Sequence, residues 1–470
     1  MEKAPLIQEN DIFDIGFRTT SLKKPFQRQL PVYNWFYPFS NEDEVLDIPL
    51  KRLTQINWKS INRIAIYIHI PFCDTVCSFC PFTRGLYKEQ EEIDAYVNAL
   101  IREFELKRSF FGKLTVDSIF IGGGTPSVLS VDQISELGRG ISKCLDLSNL
   151  QEYAVEAEAK SITKEKMLAF KAIGVNRFSY GVQTFSKTHR KALNLDAPIN
   201  KIKQVAEWAN SIFDYTNIDI IYGQAGQSVR DVLDDAKKAI QLSTTSIDFY
   251  PMNNLAAQLR MHRSFEDLGY VKPSGAQRMN QRKKIANFML NKGYKRINGY
   301  SYALDNHTNE DLIQKQPNFL YHDILYGFSN DAILGYGASA HSQLPNANLY
   351  NTLSRKDYIK YINQHILPFE MRKINPISEK GIVTFPYRGY LYDHELENEL
   401  PSESTLHLLY DFEKSNLIKK TENFWELTET GWLYYVNMMY LLMPKKGKQW
   451  ISDRMNQRIQ NKHESEDTSL

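Results

Sequence analysis

The chain has 470 residues, 42% hydrophobic and 24% charged, which is ordinary globular usage and excludes disorder along its whole length. Length alone allows two or three domains, one of them large enough for an α/β barrel. Lys plus Arg number 57 against 55 Asp plus Glu, so a net charge of +2 gives no electrostatic case for nucleic acid as the main partner.

Taken in chain order, residues 1–55 read as an N-terminal arm. It is punctuated by Pro25, Pro31, Pro38 and Pro49 and carries the aromatic run 33–37. Three acidic residues by position 11 and no apolar core argue against a signal peptide. No apolar run approaches the ~18 residues of a membrane span, so a cytoplasmic protein with no membrane partner is expected.

From residue 56 to 305 short β-rich runs alternate with stretches of helical period. The runs are 63–69, 118–121, 152–156, 177–181, 218–222 and 247–251. The helical patterns lie near 91–109, 131–146, 163–173, 200–212, 228–242 and 275–292. This alternation predicts repeated βα units on a parallel sheet, an α/β partial (β/α)6 barrel, with a seventh strand at 296–302. Residues 306–375 read as an extension of the barrel, with a strand and Gly-containing loop at 331–342. Residues 376–444 read as a small, mainly helical C-terminal domain, and 445–470 as a polar, fraying tail.

Three of the four cysteines fall within eight residues, as Cys73, Cys77 and Cys80. A secreted disulfide scaffold spreads its cysteines, so this cluster points to metal or redox chemistry. C-x3-C-x2-C can hold three irons of a cubane cluster and leave the fourth open to a ligand. A structural zinc site is the alternative. It needs a fourth ligand, and His69 is the nearest candidate, although it lies within a strand pattern whose side chains alternate faces. Cys144, in a helical stretch, reads as a buried small hydrophobe.

Gly122-Gly123-Gly124-Thr125-Pro126 follows the second strand. Its glycines let the backbone approach a ligand closely, or simply make a tight βα turn. No Gly-Lys-[Ser/Thr] follows, so it is not a P-loop, and no dinucleotide fingerprint is present. Polar residues recur at later strands: Glu156, Arg177, Gln183 and Asp219. In parallel barrels ligands sit at the C-terminal strand ends, so these residues and the cysteine loop would surround one cavity. Singly, each also fits a helix cap or a salt bridge.

The run Tyr67-Ile-His-Ile-Pro-Phe-Cys73, continued by Cys77-Ser-Phe79-Cys80, resembles the signature of radical S-adenosylmethionine (SAM) enzymes. Its form is that of the oxygen-independent coproporphyrinogen III oxidase-like family. The resemblance continues through 122–126, 174–183, 217–223, 293–294, 337–341 and 427–431, and covers about residues 60–435. It implies that Cys73, Cys77 and Cys80 ligate a [4Fe–4S] cluster and that SAM chelates the open iron. One electron would then cleave SAM to methionine and a 5′-deoxyadenosyl radical. It further implies that Tyr67 and Phe79 flank cluster and adenine. Gly123, Gly124 and Thr125 would lie at the amino-acid end of SAM, and Arg177, Gln183 and Asp219 would contact SAM. Glu156 would lie near a second SAM molecule.

Phe82 stands where coproporphyrinogen oxidases of the family carry a further cysteine. The resemblance therefore points first to the class C methyltransferase or cyclopropanase branch, in which a second SAM donates a one-carbon unit to an sp2 carbon of a small-molecule or peptide-derived precursor. The alternatives are an anaerobic heme-degrading methyltransferase, a coproporphyrinogen III dehydrogenase-like enzyme, a heme chaperone and a non-catalytic iron–sulfur scaffold. Tyr300 and His341 are candidate bases by location alone. The expected partners are an electron donor such as flavodoxin or ferredoxin, and the chain is expected to be a monomer.

Overall fold

The structure is a computed structural model that describes residues 14–19, 24–30, 32, 34–38, 53, 56–252, 258–304, 319–345, 347–374 and 379–453. The chain divides into two compact units. The larger takes residues 45–325 and 330–374. The smaller takes 326–329, the described residues of 1–44 and those from 375 onward.

In the larger unit the chain runs β1 (Ile64–Ile70), β2 (Phe72–Cys73), β3 (Gly85–Leu86), α1 (Gln90–Phe111), β4 (Ser118–Gly123), α2 (Val131–Cys144), β5 (Glu152–Glu158) and α3 (Lys164–Ala172). It continues through β6 (Arg177–Gln183), α4 (Lys187–Ala192), α5 (Ile199–Ile212), β7 (Tyr215–Tyr222), α6 (Val229–Ile240), β8 (Ser246–Pro251), α7 (Leu259–Glu266) and α8 (Gly275–Asn291). All six expected parallel strands form, each followed by helix, and β1-β4-β5-β6-β7-β8 are hydrogen-bonded in that order.

The expected strand at 296–302 is instead two short antiparallel strands, β9 (Tyr294–Arg296) and β10 (Ser301–Leu304), at the edge beyond β8. Asn298 breaks the run: its Oδ1 accepts the N–H groups of Tyr300 and Ser301 and closes a turn. After α9 (Leu320–Leu325), the strand at 331–342 resolves into β11 (Ala332–Tyr336), a seventh parallel strand against the far side of β1, and β12 (His341–Leu344). β12, β13 (Ala347–Asn351) and β14 (Phe369–Ile374) extend the sheet antiparallel, with α10 (Arg355–Asn363) between the last two.

Period-2 alternation sorts the strand residues. One face of β1, β4, β5, β6 and β7 carries Ile66, Ile68, Ile119, Ile121, Val155, Phe178, Ile218 and Ile220, which pack with the helices in one continuous core. The other face, the barrel interior, carries Tyr67, Glu156, Ser179, Gln183 and Asp219. Ser130, Ser228 and Ser274 open α2, α6 and α8 with capping boxes, which sets each helix start at the polar break that the sequence shows. Helix α9 closes the N-terminal end of the barrel. Tyr321 and Ile324 pack on Ala65 and Ile333, and the Tyr321 N–H bonds Glu152 at 3.2 Å.

The smaller unit contains α11 (Lys380–Arg388), β15 (Tyr390–Tyr392), α12 (Asp393–Asn398), α13 (Glu403–Lys414), β16 (Ile418–Lys420), β17 (Phe424–Leu427) and α14 (Glu429–Leu442). It is helical, as expected, but also carries a three-stranded sheet in the order β15-β17-β16. Residues 445–453, expected as frayed tail, are helical. The N-terminal arm belongs to this unit: Phe26 packs on Tyr434, and the Trp35 Nε1–H donates to the Val436 carbonyl. Among the described residues no helix is long and apolar enough to cross a membrane.

Candidate functional site

The cysteine loop leaves the C-terminal end of β1, and its start is tightly held. β2 and β3 pair at Phe72–Gly85 and Cys73–Leu86. The Gly124 N–H bonds the Ile70 carbonyl at 2.8 Å. A Cβ on Gly124 would lie 2.6 Å from the Phe72 carbonyl oxygen, and one on Gly123 would lie 2.8 Å from His69 Nδ1. Gly123 also has φ 115°. The glycine run is thus required by the approach of the β4 turn to the cysteine loop, and the Gly124 N–H is already committed.

His69 Nε2 lies 2.9 Å from the Thr83 carbonyl, which only accepts, so this nitrogen carries the proton. Nδ1 then accepts from Tyr67 Oη at 2.8 Å. Burial keeps the ring neutral, its pKa lowered to about 4. Both ring nitrogens are occupied, which leaves none for a zinc ion.

The three thiols form one electrostatic neighbourhood. Burial first, then Glu158 and the other two thiols, push Cys77 up to about 12, while burial foremost takes Cys73 up to about 11. Arg84 opposes this shift at all three cysteines. Thr125 donates to Cys73 Sγ at 3.4 Å. Phe79 packs against the small apolar cluster that contains Leu193, Ile221 and Met252, and its carbonyl accepts from Gln258. Among the described residues no three His, Cys, Asp or Glu side chains are grouped to hold a single metal ion. The donor set nonetheless suits a cluster with several irons. Three soft sulfurs on one loop are held protonated by burial and mutual repulsion, so bound cationic iron would relieve what the protein alone does not.

The barrel interior above α9 is polar. Register sets Asp219 beside Gly181 on β6 and beside Asp248 on β8. Asn217 donates to Asp219 at 3.0 Å and Tyr250 to Asp248 at 3.1 Å. Burial, then Asp248, raises Glu156 to about 7, and burial raises Asp248 to about 6. Asp219 is raised well above the usual carboxylate range by burial, Asp248 and Glu156. Glu156 and Asp219 retain partial accessibility although protein surrounds them, so they face a hollow inside the barrel. Asp248 is a site residue that the sequence reading missed. Its signal was the Ile-Asp step at 247–248, which repeats that at 218–219 one strand earlier.

Gln183 ends β6 at a register shift with φ 68°, and a Cβ on Gly181 would lie 2.3 Å from its Nε2. Its side chain therefore folds back over Gly181 into the barrel, held by a backbone conformation that non-glycine residues rarely take. Tyr67, Glu156, Gln183 and Asp219 are brought together on the interior face. Arg177 is not brought to the mouth. It opens β6 about 20 Å from Gln183 along the strand. There its Nε bonds Glu152 Oε2 at 2.7 Å, beneath the Phe319 ring. Tyr300 packs against Tyr250 with the rings tilted by 40°. His341 lies on antiparallel β12, stacked on Tyr350 at 4.4 Å.

A βα barrel with three cysteines on the loop after its first strand defines a radical SAM protein, and residues 67–239 match the Radical SAM superfamily. Within it, this chain belongs to the family of the heme chaperone HemW and oxygen-independent coproporphyrinogen III oxidase. It is 30% identical to heme chaperone HemW of Lactococcus lactis over 295 residues, 63% of this chain and 73% of that protein. It is 28% identical to HemW of Buchnera aphidicola (Schizaphis graminum), covering 81% of this chain and 98% of the relative. The structure of coproporphyrinogen III oxidase (HemN) from Escherichia coli superposes with a TM-score of 0.72 at 22% identity, over 86% of this chain and 96% of that one. The class C methyltransferase subtype finds no support among these relatives.

Proposed function

We propose that this chain is a radical SAM protein that takes a tetrapyrrole, a heme or a porphyrinogen, as substrate or cargo. The observation that carries this reading is the cysteine loop at the C-terminal end of β1, opening onto a polar barrel interior in a chain whose relatives are named for heme and coproporphyrinogen. Cys73, Cys77 and Cys80 would hold the [4Fe–4S] cluster, which when bound supplies the electron that cleaves SAM. Tyr67 and Phe79 flank the loop. Gln183 and Asp219 offer polar groups to the SAM ribose and amino acid, with Thr125 at the loop and Glu156 deeper in the same hollow. Asp248 and Asp219, side by side in low dielectric, keep a proton between them that can be given to or taken from a bound ligand.

One-carbon transfer from a second SAM would act on the tetrapyrrole itself. Phe82 in place of a further cysteine weighs against porphyrinogen decarboxylation. That leaves anaerobic heme modification and heme transfer as the two outcomes to separate. Anaerobic incubation of cluster-loaded protein with heme, SAM and reductant separates them by mass spectrometry. A modified tetrapyrrole formed with 5′-deoxyadenosine marks an enzyme, and stoichiometric binding of heme that stays unmodified marks a chaperone. Absence of both heme binding and heme turnover contradicts the tetrapyrrole reading.

A further inference from the structure

One-electron reduction of a cluster on Cys73, Cys77 and Cys80, the reading of the site on which this inference rests, needs a reductant from outside the chain. Thr75, Val76 and Ser78, between the thiols, are hydrogen-bonded to one segment, 192–196. Ser78 donates from N–H to the Leu193 carbonyl and from Oγ to the Ala192 carbonyl, both at 3.1 Å. Asn194 Nδ2 donates to the Val76 carbonyl at 3.0 Å, and Thr75 donates to Asp196 at 3.0 Å. Segment 192–196 thus lies directly against the thiol loop.

Residues 194–196 of that segment also line a surface depression of about 630 Å³ at the end of α4. Its lining is basic. Lys187 and Lys191 are exposed and form no ion pair among the described residues. Asp196 is the one carboxylate of the lining, and Lys160 pairs with it at 3.1 Å. Exposed Arg260 adds a further cation through its 3.2 Å bond to Asn194. Two unpaired lysines thus stand beside the segment that packs on the cysteine loop, whose own exposed carboxylate, Asp74, is bonded by Tyr87.

We infer that this basic depression is the docking surface of an acidic one-electron carrier protein. Opposite charges steer such a carrier and orient its redox group, and a rim of lysines acts chiefly on encounter rate and salt dependence. The reduced carrier gives up one electron across segment 192–196 and is oxidised by one electron. The cluster gains that electron, and no proton or group moves.

The test uses the full chain and a bacterial flavodoxin as the acidic carrier. Flavodoxin affinity is read by fluorescence anisotropy at low and high salt, on cluster-free and cluster-loaded protein. Lys187→Glu/Lys191→Glu should weaken binding on the order of ten-fold or more at low salt and flatten its salt dependence. The same variant should slow flavodoxin-driven formation of 5′-deoxyadenosine while leaving the dithionite-driven rate unchanged. Lys283→Glu/Lys284→Glu, an equal charge change at exposed positions of α8, should leave affinity unchanged. Unchanged affinity in the first variant, an equal loss in the second, or no flavodoxin binding by the wild type overturns the docking surface. Failure of wild-type, cluster-loaded protein to cleave SAM with dithionite overturns instead the reading on which it rests.

Discussion

Asp219 and Asp248 point into the barrel because a parallel pair in register puts both side chains on the same face. Three carboxylates in one low-dielectric hollow cannot all ionise cheaply, so their pKa values rise. An acid whose pKa is raised by folding holds its proton more tightly in the folded chain. Stability is then greatest below the unfolded value of about 4 and falls as pH rises through about 6 and about 7, the values reached by Asp248 and Glu156. Asp248→Asn should therefore flatten the decline in thermal stability of cluster-free protein between pH 4 and 7, relative to wild type. A variant with the same pH profile would show that the group ionises freely. Asp219→Ala should retain its cluster spectrum yet bind SAM more weakly, by roughly 5- to 150-fold if a buried hydrogen-bond partner is lost. Asp219 was legible in the sequence because a charged residue interrupts an apolar strand. The expected run 177–181 already put Arg177 at the opening of its strand, but nothing local shows that Glu152 claims its guanidinium there.

The elements themselves were legible because period 2 and period 3.6 alternate cleanly, with a serine cap before α2, α6 and α8. The position of β11 was not, since nothing local shows that a strand about 270 residues after β1 pairs with it. A buried network fixes the loop that follows β11. Glu103 and Lys107, both fully buried on α1, pair at 2.7 Å. Glu103 also accepts from the Gly337 N–H at 2.7 Å and from Tyr358 at 2.6 Å, while Lys107 donates to the Gly335 carbonyl. Glu103→Ala leaves the Lys107 ammonium buried without its partner and should cost about 3–5 kcal/mol in denaturant unfolding. A loss below about 1 kcal/mol, the range of exposed pairs, would mean that water replaces the carboxylate. Gly124→Ala acts on a different element. Its Cβ would strike the Phe72 carbonyl, so the cysteine loop must shift, and iron content after reconstitution should fall severalfold with helical content unchanged. Full iron loading in that variant would show that the loop tolerates the displacement.

At the scale of the whole molecule, the described residues of the N-terminal arm and those after 375 fall in one unit. Asn437, fully buried on α14, accepts from the Leu30 N–H at 3.0 Å and donates to the Arg28 carbonyl at 2.8 Å. Asn437→Ala strands two backbone groups of the arm and should make the arm markedly more sensitive to proteolysis, at a cost of about 1–3 kcal/mol. The arm's association with the C-terminal unit was hidden in the sequence because its aromatic residues show no period, only a need for cover. The proposed chemistry needs all three thiols of the cysteine loop. Its most direct test is anaerobic reconstitution with iron, sulfide and SAM, followed by dithionite, for wild type, Cys144→Ala and the Cys73, Cys77 and Cys80 single alanine variants. Wild type and Cys144→Ala should carry the [4Fe–4S] absorption and release methionine and 5′-deoxyadenosine in equal amounts, and the other three should do neither. A cluster that survives loss of Cys73, Cys77 or Cys80, or a loaded wild type that leaves SAM intact, would contradict it.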